Sequence, residues 1–410
     1  VNANDGVLGP YRQKEGSYYA IKEIFSPVRI HLASLSEDFD GIIEVENQYN
    51  FTSLNQCRFR LELANFRKPW EKQNGYIVKF ENTFKGPEIM PGRKGVLKLE
   101  LPVEWRKYDV LFLTAYSSPG EEIYKWSWKI NKNISYVNEL TSLSVDTKPE
   151  ALISDTTITV TSSGISVTID KKTGNIIKVK NHFGNELLFK NGPLLCYGSS
   201  ELKEIKHYSG EDFYVIESLF KGNLEYTRWK MHSNGWVSLE YKYSLQGEIP
   251  YAGISFDYPE SNIIGARWLG KGPVRVWKNR QHGVSYNVWE SIYNNTHTGQ
   301  EPWNYPEFKG YFADICWMEI NTTEGKFLIA SEDENLFIRL FDFYALSGIK
   351  PHPELPPGDI SFLDCIPPTG TKMATRIDAD ATVLGPESKM NILTQPVKRT
   401  IYFYFGLLTK

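Results

Sequence analysis

The chain has 410 residues, of which 41% are apolar and 14% aromatic, so it can form large packed cores and wholesale disorder is excluded. Its formal net charge is −3, with 46 basic and 49 acidic residues, and we therefore expect no nucleic-acid partner. No apolar run approaches the roughly 18 residues that span a bilayer, so no membrane span is predicted. The length favours about two or three domains.

The termini and cysteines carry no recognisable motif. VNANDGVLGPYRQKEG has no basic start followed by an apolar stretch, so it predicts no secretory signal, and its polar lead suggests a processed or truncated chain. Cys57, Cys196, Cys316 and Cys365 lie far apart, which favours buried free thiols over a zinc or redox site. We expect no cofactor and no metal, and the cysteines leave the compartment open.

Alternating apolar and polar side chains predict β-strands along the chain. CRFRLEL (57–63) and GISVTID (164–170) alternate without interruption. YTRWKMHSNGWVSLEYKYSL (226–245) has two alternating runs around Asn234-Gly235, a dipeptide suited to a tight hairpin turn. WMEINTTEGKFLIAS (317–331) repeats this plan around Glu324-Gly325. No amphipathic helix of three turns is evident, so the predicted fold class is all-β, built as sandwiches.

A polar, turn-rich stretch near residues 133 to 156 predicts a domain boundary. We expect a first domain at 1–135 with the size of an immunoglobulin-like β-sandwich, a linker at 136–155, and a second domain at 156–410 large enough for two facing sheets. Trp126 and Trp128 lie two residues apart, so they share one face of a strand at the edge of the first domain's core.

Most catalytic motifs are missing from the sequence. It contains no Gly-x-Ser-x-Gly elbow, no His-Glu-x-x-His zinc helix and no phosphate-binding Gly-x-x-x-x-Gly-Lys. Asp378 and Asp380 are close together in RIDADATVLGPES, where an ordinary solvated loop is favoured over a calcium site. We assign no catalytic residue.

Several segments resemble, in the family's order, the C-terminal region of β-galactosidases of glycoside hydrolase family 2. YYAIKEIFSPVRI (18–30) and ENQYNFTSLNQCRFRLEL (46–63) resemble its immunoglobulin-like domain. SVTIDKKTGNIIKVKNHFGNELLFKNGP (166–193), ARWLGKGP (266–273) and YPEFKGYFADICWMEI (305–320) are similar to the final, galactose-mutarotase-like domain. The resemblance implies an immunoglobulin-like β-sandwich followed by a large β-supersandwich.

The resemblance also implies that the catalytic (β/α)₈ barrel, with both catalytic glutamates, lies upstream of these segments. Asn138-Glu139 and Asn185-Glu186 do not stand at a barrel strand end, where the acid/base glutamate belongs. We therefore expect an inactive, non-catalytic region of a retaining glycosidase. Its implied partners are an oligosaccharide or polysaccharide substrate and the enzyme's own barrel. A periplasmic or extracellular location is favoured for such an enzyme.

The segment WLGKGPVRVWKNRQHG (268–283) departs from the family pattern. Arg275, Trp277 and Asn279 stand where the family has Glu, Tyr and Asp, while Arg280 is retained. Residues 370–388 also lack the late Trp that β-galactosidases place against the substrate. Because guanidinium groups pair well with carboxylates, the reversed charge leads to the hypothesis of an anionic, uronic-acid-containing glycan.

Aromatic, basic and polar residues near this segment are candidates for carbohydrate contact: Arg275, Trp277, Arg280, His282, Trp303, Glu307 and Lys309. For the two tryptophans, packing or an interface is the alternative to stacking on a sugar, and for His282 the alternative is a loop histidine without a ligand. Two other functions remain open. One is a stand-alone carbohydrate-binding or cell-surface assembly protein, and the other is a sugar epimerase, which needs a His and a carboxylate facing one another in the concave sheet.

Overall fold

A computed structural model describes residues 7–8, 12, 14–142, 148–294, 308–342, 355–369 and 389–408. The chain divides into two compact units. The smaller unit comprises Val1–Lys132, Lys271–Val274 and His282–Trp289, and the larger unit comprises Asn133–Gly270, Arg275–Gln281 and Glu290–Lys410.

The smaller unit contains two antiparallel sheets and a short helix. Its elements are α1 (Gly16–Ile24), β1 (Val28–Ile30), β2 (Ile42–Asn47), β3 (Arg58–Phe66), β4 (Tyr76–Lys85), β5 (Lys94–Lys98), β6 (Val110–Tyr116) and β7 (Glu122–Lys129). One sheet has the strand order β1-β2-β5 and the other β4-β3-β6-β7. This two-sheet arrangement places a hydrophobic core between the sheets.

The predicted alternation of CRFRLEL is confirmed, because Phe59, Leu61 and Leu63 are buried in this core. Trp128 is also buried and Trp126 packs against the same core, as their spacing predicts. The segment YYAIKEIFSPVRI contains both a helix and a strand. Its first part forms α1, and only the residues of β1 join a sheet.

The larger unit begins with a helix and continues with strands, two of which (Ile263–Gly272 and Ser285–Ile292) also include residues assigned to the smaller unit. These elements are α2 (Asn133–Thr141), β8 (Glu150–Ile153), β9 (Thr157–Ser162), β10 (Ile165–Asp170), β11 (Ile176–Lys180), β12 (Glu186–Leu187), β13 (Lys190–Leu195), β14 (Ser200–Ser209), β15 (Phe213–Gly222), β16 (Leu224–His232), β17 (Val237–Tyr243), β18 (Gly247–Ile249), β19 (Ala252–Asp257), β20 (Ile263–Gly272), β21 (Ser285–Ile292), β22 (Gly310–Phe312), β23 (Trp317–Thr322), β24 (Gly325–Ser331), β25 (Phe337–Leu340), β26 (Ile360–Cys365), β27 (Asn391–Leu393) and β28 (Val397–Tyr404).

Two large sheets dominate this unit. A ten-stranded sheet has the order β22-β25-β26-β19-β13-β11-β10-β9-β8, with β12 paired to β11, and a nine-stranded sheet has the order β14-β15-β16-β17-β28-β24-β23-β20-β21. Aromatic rings meet between them: Phe362 of the first sheet lies 5.7 Å from Phe403 of the second, and Phe256 lies 6.1 Å from Trp229. The all-β fold class is therefore confirmed, including the hairpins around Gly235 and Gly325, which both have positive φ.

A buried ion pair joins the two large sheets. Asp364 of β26 contacts Arg399 of β28, and the hydroxyl of Tyr243 donates to Asp364 Oδ2 over 2.5 Å. Arg399 Nη1 also donates to the carbonyl of Glu334 over 2.9 Å. These additional hydrogen bonds matter because two charges removed from water stabilise a protein only when their polar atoms are well satisfied.

The stretch 136–155, predicted as a linker, includes most of α2 and all of β8, which pairs with β9. Helix α2 is fixed at both ends. The amide of Asn133 donates to the carboxylate of Glu334 over 2.7 Å, and Asn234 Nδ2 donates to the carbonyl of Thr141 over 2.9 Å. A carboxylate at the helix N-terminus and a donor at its C-terminus both satisfy backbone groups that the helix leaves unpaired. The assignment of the two units to named domain families stays a prediction.

Replacing Arg399 with Met should lower the free energy of unfolding by roughly 3–5 kcal/mol, because Asp364 would be left as a buried charge without its cation. The neighbouring Lys398→Met variant is the control, since Lys398 is 57% exposed where it pairs with Glu240, and it should cost less than about 1 kcal/mol. Urea denaturation of both variants measures the difference, and equal losses would contradict the role assigned to the buried pair.

We expect His232 to make the free energy of unfolding depend on pH. Burial, with a smaller effect of Lys230, lowers its pKa from 6.5 to about 4. Between these values the unfolded chain binds a proton that the folded chain does not, so this residue makes stability rise with pH across that window, by about 3 kcal/mol in total.

The His232→Gln variant keeps a polar side chain beside Ser238, whose hydroxyl lies 3.1 Å from His232 Nε2. Compared with this variant, the native chain should lose stability as the pH falls from 6.5 to 4. Denaturation curves at several pH values measure this difference, and a constant difference would contradict the prediction.

Candidate functional site

The basic and aromatic segment 268–283 is divided between the two units. Its central part, Arg275–Gln281, belongs to the larger unit, whereas Lys271–Val274 and His282–Gly283 belong to the smaller one. Among the described candidate residues, His282 therefore belongs to the smaller unit. The others belong to the larger unit: Arg275, Trp277, Arg280 and Lys309.

In the larger unit, Trp277 and Arg280 close a tight turn. The amide of Arg280 donates to the carbonyl of Trp277 over 2.9 Å, and the reverse bond measures 3.1 Å. Between them, the side chain of Asn279 accepts from the amide of Thr369 over 2.9 Å and donates to its carbonyl over 2.7 Å. Lys278 Nζ donates to the carbonyl of Lys389 over 2.6 Å. These bonds fix the backbone of the turn and the two side chains at its tip.

Trp277 is part of the protein interior. It is 5% exposed, and its ring lies 5.5 Å from that of Tyr311 in an edge-to-face arrangement. The amide of Val276 donates to the carbonyl of Tyr311 over 2.8 Å. This packing favours the structural alternative for Trp277, since a ring without an open face offers no platform for a sugar. Trp268, 1% exposed, is likewise a core residue.

The two candidate arginines differ in exposure. Arg275 is half-buried, and its Nη1 donates to the carbonyl of Lys309 over 3.0 Å. Arg280 is exposed, and within the part of the chain that the structure describes its guanidinium has no hydrogen bond or ion pair. Its charge is therefore the more accessible of the two to an anionic ligand.

Lys309 is buried and already neutralised. Its Nζ forms an ion pair with Glu260, whose Oε1 also accepts from the hydroxyl of Tyr293 over 2.6 Å. Burial and the neighbouring Glu260 raise the pKa of Tyr293, so this hydroxyl stays a donor. The predicted role of Lys309 as a sugar contact stays untested, and its ion pair with Glu260 favours a structural role.

His282 lies in the smaller unit, 59% exposed, with its Nδ1 2.9 Å from Glu23 Oε1. The other oxygen of Glu23 accepts from the amide of Gly283 over 2.5 Å and from the hydroxyl of Tyr124 over 3.0 Å. Burial, followed by the charge of Glu23, raises the pKa of Tyr124. No local pattern indicates this cluster, because Glu23 and His282 are 259 positions apart in the chain.

Four of the sequence predictions lie outside the described residues: those for Trp303, Glu307, Asp378 and Asp380. Residues 370–388, which lack the late Trp of the β-galactosidases, also lie outside the described residues.

The sugar-epimerase alternative requires a histidine and a carboxylate that face one another in a concave sheet. A row of side chains crosses the ten-stranded sheet from Tyr311 through Arg339 and Ser361 to Ser255. The described histidines lie on other elements, including His207 on β14 and His232 on β16 of the nine-stranded sheet. None of the described histidines lies on a strand of the ten-stranded sheet, although His182 lies in the turn between β11 and β12.

The described ranges contain neither a cluster of metal-ligating side chains nor a membrane-spanning helix. No group of three His, Cys, Asp or Glu side chains there is arranged to hold a metal ion. Neither of the described helices is long and apolar enough to cross a membrane.

No family model matches this sequence, and no curated protein matches it. Among solved structures, similar chains include the exo-β-D-glucosaminidase CsxA studied with a glucosamine-configured castanospermine and an amino-australine analogue, and the Amycolatopsis orientalis exo-chitosanase CsxA. Each is 14% identical, with a TM-score of 0.20, over 57% of this chain. The match spans 27% of the length of those structures. Likenesses this weak carry no argument about the activity of this chain.

The contrast between Trp277 and Arg280 predicts different mutational effects. Trp277→Ala should lower the free energy of unfolding by about 3–5 kcal/mol, because it opens a cavity beside Tyr311. Arg280→Ala, three residues away, should change it by less than about 0.5 kcal/mol. Thermal and urea denaturation measure both effects, and a tolerant Trp277 would show that its ring is not part of the core.

Proposed function

We propose that this chain is the non-catalytic C-terminal region of a family 2 glycosidase, and that it contributes carbohydrate binding and helps to shape the substrate pocket. The ordered segments from YYAIKEIFSPVRI to YPEFKGYFADICWMEI support this proposal, as do a smaller two-sheet unit and a larger unit with two facing sheets. In the complete enzyme, an upstream barrel would supply the nucleophile and the acid/base glutamate for retaining hydrolysis.

The ligand we propose is an anionic, uronic-acid-containing glycan. The observation that carries this choice is the exposed guanidinium of Arg280 at the end of a hydrogen-bonded turn. Arginine presents planar donors that match a carboxylate, and a turn fixed at its tip reduces the entropy lost on binding. Arg275 is secondary, because part of its donor capacity is used by the carbonyl of Lys309.

A stand-alone carbohydrate-binding protein is the second candidate. It uses the same exposed Arg280 but requires no barrel, so the two candidates differ in what precedes Val1 in the coding sequence. An in-frame barrel with an Asn-Glu pair at a strand end supports the glycosidase. A start codon or a signal peptide directly before Val1 supports the binding protein.

Binding of tetragalacturonate tests the ligand class. Isothermal titration calorimetry should show binding to the native chain, and Arg280→Ala should weaken it about tenfold, equivalent to the loss of one charge-assisted hydrogen bond. The fully methyl-esterified tetrasaccharide, which lacks the charge, should bind more weakly than the acid.

The control is Lys203→Ala, which removes one positive charge from an exposed position on β14 of the same unit. It should leave the affinity unchanged. Equal binding of acid and ester, or an Arg280→Ala variant with native affinity, would contradict the proposed ligand.

A further inference from the structure

Strand β14 forms one end of the nine-stranded sheet in the larger unit. It pairs with β15 on one side, and in the part of the chain that the structure describes no strand pairs with its other side. All of its residues are exposed except Leu202 and Ile205, which are half-buried. Such an edge carries a row of backbone N–H and C=O groups with which a further strand can pair.

A β-bulge in β14 changes which of its side chains share a face. The pairing with β15 shifts at Lys203, which has no residue opposite it in β15. Leu202 lies opposite Phe220, and Ile205 lies opposite Ser218. Residues opposite one another point to the same face, and residues 218 and 220 of β15 also share a face. Leu202 and Ile205 therefore point to one face, although in a regular strand residues three positions apart point to opposite faces.

The central part of β14, ELKEIK (201–206), is complementary to itself when it is read in the opposite direction. We consider two antiparallel copies of the strand, related by a two-fold axis that passes between residues 203 and 204. Opposite charges that face one another across two strands stabilise their pairing, whereas like charges destabilise it. In this register the two copies form three kinds of cross-strand pair, each repeated by the symmetry: Glu201 with Lys206, Lys203 with Glu204, and Leu202 with Ile205.

The bulge makes this register compatible with two-fold symmetry. A two-fold axis perpendicular to the sheet keeps each side chain on the same face in both copies. Leu202 can therefore lie opposite Ile205 of a second copy only because the bulge places both on one face. In a strand without the bulge, the same register would set residues of opposite faces against each other. The bulge and the charge sequence thus agree on one alignment.

We propose that β14 pairs with β14 of a second copy of this chain, so that the nine-stranded sheet continues across a symmetric dimer. The partner is a second copy because the charges of this edge match those of the same strand in reverse. Charged side chains on an edge disfavour unrelated strands, which do not supply the matching charges. The proposal uses residues of the larger unit alone and does not depend on a glycan.

The oligomeric state provides the first test. Sedimentation velocity of the native chain between about 10 and 300 μM should show a reversible monomer–dimer equilibrium, because an interface one strand wide is small and binds weakly. Lys206→Glu sets a carboxylate opposite Glu201 at both ends of the pairing, so it should weaken dimerisation about tenfold or more. Lys206 is 56% exposed, and its replacement should leave the fold intact.

Two further variants separate the proposed pairs from a general effect of charge. The double variant Glu201→Lys, Lys206→Glu exchanges the two charges, keeps the net charge and should restore dimerisation to near the native level. Lys172→Glu makes the same change in net charge at an exposed position between β10 and β11, and it should leave dimerisation unchanged.

Amide hydrogen exchange locates the contact. Exchange in β14 should become slower as the concentration of the native chain rises, because its free backbone groups become paired. Strand β8, at one end of the ten-stranded sheet, is the internal reference and should show no such change. A chain that stays monomeric, or a dimer that forms without slower exchange in β14, would overturn the proposal. It would also be overturned if Lys206→Glu dimerised like the native chain or if the double variant stayed monomeric.

Discussion

The burial of Trp277 is the constraint on which the proposed site depends. Its ring packs edge-to-face on Tyr311, and its backbone pairs with Arg280. The same turn ends at Arg280, whose side chain is exposed. The turn thus joins a buried aromatic side chain to an exposed guanidinium three residues away. Asn279 and Lys278, at the tip of the turn, support this geometry because they donate hydrogen bonds to the carbonyls of Thr369 and Lys389.

The strands were predictable because their side chains repeat with a period of two. CRFRLEL and the hairpin around Asn234-Gly235 show this clearly, since one face of each strand is buried and Gly235 in the hairpin turn has positive φ. The two nine-residue helices were not predicted, because fewer than three turns give too few repeats for a helical period to stand out.

The candidate site was only partly predictable. Arg280 was selected from its charge and context, and the structure places it at the surface. Trp277 and Lys309 were selected by residue type, but type does not show that one is packed on Tyr311 and the other paired with Glu260. Glu23 was missed altogether, because its contact with His282 joins residues from opposite parts of the chain. Such pairs depend on topology, which local patterns do not encode.

The central claim is that an anionic glycan contacts the Arg280 guanidinium. Nitrogen-15 NMR of the arginine side chains during a titration with tetragalacturonate tests it most directly. The account predicts that the Nε–H signal of Arg280, assigned from the Arg280→Lys spectrum, shifts and saturates with the acid and moves less with the methyl ester. A signal that stays in place while the sugar binds elsewhere, or no binding at all, would contradict the account.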